Sequence, residues 1–262
     1  MKIYLFVFPL LILNSCNKGG ITSPSDGDAG NSYPTILRKL DQSEFDSLNL
    51  ILNQKLGTKY LAQLDSFGLL GYYHGGVVKP RGSTITNPAQ AISLAKLAMI
   101  DLSQFTNVID TSALVVRRAQ INEVTNDWEI IFANQVYKGL EVWNTRIDAI
   151  VADQFILLYQ QHHYNNIIIP RQNILSKERV KSKLVGTEIN YQCWTPSSYL
   201  ITDSSINLET MEQCIYPLQK MNSIELHVVW KVSISQGSFM GWYYFIDVLT
   251  GETIAVEQLF VC

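Results

Sequence analysis

Trp128–Gln161, WEIIFANQVYKGLEVWNTRIDAIVADQFILLYQQ, decides the fold. Trp128, Ile130 and Phe132 alternate with Glu129, Ile131 and Ala133, the two-residue period of a strand with one better-buried face. Lys138-Gly139 and Ala152-Asp153-Gln154 read as tight connections, so the stretch is expected to form three consecutive strands. The same grammar returns near the C-terminus, in four strands at Gln213–Leu218, Ile224–Ser233, Trp242–Val248 and Thr253–Phe260. Asn222, Gly237, Gly241 and Gly251 suit their hairpin turns, and Leu249-Thr250-Gly251 fits a type I turn followed by a left-handed glycine bulge.

Helices are expected before each strand set. Phe45, Leu48, Ile51, Leu52 and Leu56 share one stripe, with Ser43 as N-cap and Gly57 as the stop. A second short helix is expected over Thr58–Leu64. Phe67–Val78 is glycine-rich and reads as a turn-rich connection or an irregular edge strand. The clearest helix opens at Asn87-Pro88 and runs to about Ser103, its Ala91, Leu94, Ala95, Ala98 and Leu102 suited to close approach to a sheet. Leu114–Ile121 reads as a strand. Past a boundary at Ile167–Pro170, Ser176 caps a helix to Val185, with Val180 and Leu184 inward and Gly186 as stop. The plan is α+β: two helix-on-antiparallel-sheet modules, 33–170 and 171–262.

Ahead of them lies an address. Lys2 and the apolar run Ile3–Leu13 form a leader too short to cross a bilayer as a helix. Leu13-Asn14-Ser15-Cys16 then resembles a bacterial lipobox, which makes 1–15 a signal peptide and implies acyl chains on Cys16. Residues 16–32, rich in Gly, Ser, Asp and Asn, read as a flexible tether. The expected address is the cell envelope, at the periplasmic face of the outer membrane or on the cell surface.

Composition excludes some functions. Hydrophobic residues are 47% and charged residues 16%, the balance of a globular body. The net charge of −3, which becomes −4 once Lys2 leaves with the leader, argues against a nucleic-acid surface. Export permits a disulfide among Cys193, Cys214 and Cys262. In a simple meander Cys214 and Cys262 lie on the outer strands, on the order of 14 Å apart, beyond the ~7 Å Cα limit for a bridge. Cys193 is therefore the expected shared partner, with Cys214 first and Cys262 second; a fully reduced set is the alternative. His162-His163 sits at a strand end and points to opposite faces, which suits a surface better than zinc. Asp153 and Asp247 fall at turns, where Asp accepts from backbone N–H groups. No metal, cofactor or catalytic residue is expected.

Two motifs carry a family resemblance. Gln135, Tyr137, Gly139 and Val142 resemble the Gln-x-Tyr-x-Gly turn and following Val of fungalysin/thermolysin propeptides. Leu226-His-Val-Val-Trp-Lys-Val with Trp242–Ile254, which includes Asp247 and Gly251, resembles the PepSY domain that follows in those propeptides. The resemblance spans about Ile85–Phe260, in the family order. Thermolysin-like zymogens continue into a His-Glu-x-x-His peptidase domain; this sequence contains no such motif. The resemblance thus implies a non-enzymatic binding or inhibitory module, with a secreted or envelope metallopeptidase as partner in trans. An envelope lipoprotein that binds peptide or glycan, with no peptidase link, is the alternative.

Overall fold

The computed structural model describes residues 33–57, 60–76, 84–160, 162–192, 196–236 and 240–259. It opens with strand β1 (Thr35–Arg38) and helix α1 (Gln42–Leu56). Strands β2 (Leu61–Leu64) and β3 (Leu70–Gly76), helix α2 (Pro88–Asp101) and the single-turn α3 (Ser103–Thr106) follow. Next come β4 (Val116–Asn122), β5 (Asp127–Phe132), β6 (Val136–Tyr137), β7 (Leu140–Val142), β8 (Ile147–Val151) and β9 (Phe155–Gln160). Helix α4 (Lys177–Leu184) precedes the hairpin β10 (Glu188–Gln192) and β11 (Pro196–Leu200). The run β12 (Glu212–Gln219), β13 (Ser223–Gln236), β14 (Met240–Asp247) and β15 (Thr253–Gln258) completes the chain.

The fold is α+β and dominated by two sheets. One has six antiparallel strands in the order β2-β3-β9-β8-β5-β4. The other runs β15-β14-β13-β12-β7-β6, with β1 as a seventh strand against the start of β13. Its last four strands are the expected meander, with a register shift at Phe245/Ile246 beside the left-handed Gly251 (φ 69°).

The opening stretch is not one meander. Strands β5, β8 and β9 pair in the first sheet, but between β5 and β8 the chain crosses to the second. There β6 and β7 form a hairpin whose loop residues, Lys138 (φ 48°) and Gly139 (φ 86°), both have positive φ, as a two-residue type I′ turn requires. Strand β7 then pairs in parallel with β12 at Cys214 and Ile215. Gln135 ties down this excursion: its Nε2 donates to the Tyr164 carbonyl (2.6 Å) and its Oε1 accepts from the Tyr164 N–H (2.8 Å). The buried amide so replaces one rung of a strand ladder. Strands from residues before 170 (β1, β6 and β7) therefore build part of the second sheet.

Other expectations are corrected locally. Asp41, not Ser43, caps α1: its Oδ1 accepts from the Glu44 N–H (2.9 Å) while Glu44 accepts from the Asp41 N–H (3.0 Å). Ser43 instead donates to Asp41. Ile51 leaves the apolar stripe and is 41% exposed, whereas Leu52 is buried. Leu61–Leu64 is strand β2, not helix, with 58–59 outside the described residues. Strand β3 is internal, held between β2 and β9. Two of its three glycines serve the packing of rings: a Cβ on Gly75 would strike the Tyr73 ring, and one on Gly76 the Tyr60 ring.

Each sheet carries its own core. Asn87 caps α2 by accepting from Gln90 N–H (3.0 Å), and Ala91, Ala95 and Met99 bury against the first sheet with Leu70, Phe132 and Leu158. Val180 and Leu184 of α4 pack with Val232, Ile234, Trp242 and Tyr244. Each fully buried large apolar side chain here contributes about 1.5–3 kcal/mol.

Candidate functional site

Three features of the second sheet stand out chemically: a buried charge network, an aromatic face and an open edge.

The network starts at the Asp247 carboxylate, which is buried. Its Oδ1 accepts from the Leu249 and Thr250 N–H groups (2.9 Å each), the turn role expected for this residue. Its Oδ2 accepts from His227 Nδ1 (2.9 Å) and from the Tyr33 hydroxyl (2.8 Å). His227 Nε2 faces Glu225 (3.2 Å), and Glu225 pairs with Lys220 (2.7 Å). Tyr33 also accepts from the Val228 N–H (2.9 Å), so its hydroxyl occupies the gap on β13 between the start of β1 and the end of β14.

Electrostatics follow from these contacts. Burial alone would raise Asp247, but the hydrogen bonds from His227, Thr250, Tyr33 and Leu249 hold it at about 2. Burial would lower His227, but its bonds to Asp247 and Glu225 prevail and raise it. Burial, then Asp247, pushes the Tyr33 hydroxyl far up. His163 has the opposite fate. It is buried, its Nε2 has no hydrogen-bond partner among the described residues, and burial lowers it to about 4. The surface placement expected for the pair is therefore wrong for His163, while His162 is half-buried and pairs with Asp65 (3.0 Å).

The two buried histidines couple to stability with opposite sign. His227, raised from 6.5, stabilises fully below pH 6.5 and loses that contribution as pH rises through its folded pKa. His163, lowered from 6.5 to about 4, loses stability as pH falls from 6.5 towards 4. Imidazole titration by NMR is expected to show His227 still charged above pH 6.5 and His163 still neutral at pH 5. Two ordinary titration curves near 6.5 would refute the assignment.

The aromatic face lies on the side of the sheet opposite its main core. Cys214, Val229 and Phe245 are buried there beneath Trp143, Tyr216 and Tyr243. Trp143 Nε1 donates to both oxygens of Glu257 (3.0 and 3.1 Å), and the Tyr216 hydroxyl to one of them (3.2 Å). Lys231 lies 4.7 Å from the Trp143 ring centre and 5.1 Å from that of Tyr243, and pairs with Glu212. These contacts bind the β7 end to β15. Cys214, expected to pair with Cys193, is a free thiol pushed up to about 12 by burial. Cys193, Cys262 and Cys16 lie outside the described residues.

The edge is β15. Leu259 donates to the Gly241 carbonyl (2.9 Å), which sets the alternation of the β14–β15 ladder. Counting back through the register, Glu257 and Ala255 bond to β14, while Val256 and Gln258 turn their N–H and C=O groups outward. Three other outer strands, β4, β2 and β6, are blunted. Strand β4 carries Arg117 and Arg118 at a register shift, β2 has four residues and a shift, and β6 has two. Strand β15 has six residues without Lys, Arg or Pro, and its Val256 is 45% exposed.

Of the residues singled out from the sequence, Gln135, Tyr137 and Gly139 shape the β6–β7 excursion, and Asp247 and Gly251 shape the β14–β15 turn. The structure does not gather them into one site. Sequence reasoning missed Tyr33, Glu225 and His227, whose link to Asp247 spans 214 positions in the case of Tyr33. Among the described residues no three His, Cys, Asp or Glu side chains converge as metal ligands.

No family model matches the chain, and no curated protein matches it. Among solved structures, the Bacillus megaterium YpeB C-terminal domain overlays with a TM-score of 0.33 at 14% identity, covering 85% of this chain and 99% of that one. A likeness that distant assigns no function.

Proposed function

We propose that this chain is a non-enzymatic binding protein of the bacterial cell envelope, anchored through lipid on Cys16 and held off the membrane by residues 16–32. In this reading its body is propeptide-like with a PepSY-like C-terminal part. It binds a secreted or envelope metallopeptidase in trans and occupies that partner's cleft. The observation that carries the reading is the β15 edge, whose outward Val256 backbone groups suit addition of an extended partner strand. The quoted propeptide motifs support the choice of partner.

The test mixes the full-length protein, in detergent, with metallopeptidases secreted by the same bacterium. A co-eluting complex on gel filtration and reduced peptide hydrolysis are expected. Separate elution with unchanged hydrolysis would overturn the reading. A second reading, a peptide- or glycan-binding lipoprotein without a peptidase link, is favoured by a polar, aromatic cleft beside Trp143.

A further inference from the structure

An open cleft of about 300 Å³ lies where the loop after β7, the segment after β9 and strand β12 meet. Trp143, Asn144, His162, Tyr216, Pro217 and Gln219 line it. Its volume is at the small end of ligand sites.

The lining decides the ligand chemistry. Trp143 and Tyr216 have spent their polar atoms on Glu257, so what they bring to the cleft is the ring surface that Lys231 and Phe245 leave uncovered. Asn144 holds a left-handed backbone (φ 56°) at the cleft wall. Neither its side-chain amide nor that of Gln219 has a hydrogen-bond partner among the described residues, so each offers donors and an acceptor. His162, the one imidazole in the lining, is already paired with Asp65. A charged ligand would find no counter-charge.

An extended peptide also fits poorly. Lys220 donates to the Ser223 carbonyl (2.8 Å), which sets the β12–β13 alternation and turns the backbone of Pro217 and Gln219 towards the open side of β12. Pro217 has no N–H to give there, so a strand cannot add along this edge. A molecule with an apolar C–H face and a rim of uncharged hydroxyls satisfies both the rings and the amides.

We infer that this cleft binds a neutral saccharide, stacked on Trp143 and Tyr216 and hydrogen-bonded by Asn144 and Gln219. The inference rests on the second functional reading and is independent of strand addition at β15.

The test is calorimetric titration of the full-length protein, in a sugar-free detergent, with cellobiose, maltose and chitobiose in turn. At least one should bind saturably. Gln219→Ala, an exposed change, and Asn144→Gly, which keeps the positive φ, should each weaken it about tenfold. Absence of saturable binding by all three sugars overturns the inference, as does binding that neither substitution alters. Binding of trialanine in place of the sugars overturns it too, in favour of a peptide. None of these results bears on complex formation with a peptidase, so the failure of the two ideas can be told apart.

Discussion

Replacing Asp247 with Ala is expected to cost about 3–5 kcal/mol of folding stability, the range for breaking a buried ion pair from one side. The loss has several parts. His227 would keep its charge-favouring partner Glu225 but lose the nearer carboxylate, and the Leu249 and Thr250 N–H groups would lose their acceptor at the β14–β15 turn. Tyr33, whose hydroxyl fills the gap on β13, would lose its carboxylate acceptor and keep only the Val228 carbonyl. Asp247→Asn keeps an acceptor for the turn but sets an amide against His227, so a smaller loss is expected. Tyr33→Phe leaves the Val228 N–H unpaired and should cost about 1–3 kcal/mol. Urea unfolding measures all three. An Asp247→Ala protein within about 0.5 kcal/mol of wild type would show that the network contributes little.

The same network explains how the N-terminus is held. Strand β1 pairs over only four residues, and Thr35 Oγ1 accepts from the Ile168 N–H (2.8 Å). Tyr33, at the foot of the proposed tether, links this strap to β13 and β14 at once. In Asp247→Ala, amide exchange at Thr35 and Leu37 should therefore quicken before that of the β13 core.

Local pattern made much of this legible. The helix begun by Asn87-Pro88, the helix capped by Ser176, the last four strands and the Gly251 bulge all depend on neighbours within a few residues. Illegible features depend on distant partners. The alternation in Trp128–Phe132 marks a strand, but nothing in it tells which sheet the next strand joins; a Gln135 amide meeting the backbone of Tyr164 decides that. Glycines that usually break a strand are kept in β3 because tyrosine rings lie over them. Asp247 is readable as a turn former, since that role is local, whereas its bonds to His227 on the preceding strand and to Tyr33 at the far N-terminal side of the fold are not. His163 reads as a surface residue from its place beside His162 at a strand end; its burial comes from packing that local pattern does not carry.

The central functional claim is strand addition, and Val256 is where it is most exposed to refutation. Val256 pairs with Tyr244 at a rung where its N–H points away from β14, so Val256→Pro removes no bond of the native ladder. The variant should keep its far-UV spectrum and its melting temperature. Any partner strand on this edge would lose a hydrogen bond there and meet the ring of the proline instead, a combined cost of about 3 kcal/mol, or roughly a hundredfold in affinity. Val256→Lys serves as a second variant, since an exposed edge charge also opposes pairing while leaving the backbone intact. The direct measurement is the affinity of wild-type and Val256→Pro proteins for the co-eluting metallopeptidase, taken side by side. The account predicts a loss of about a hundredfold in a variant that is still folded; an unchanged affinity in that folded variant would contradict it.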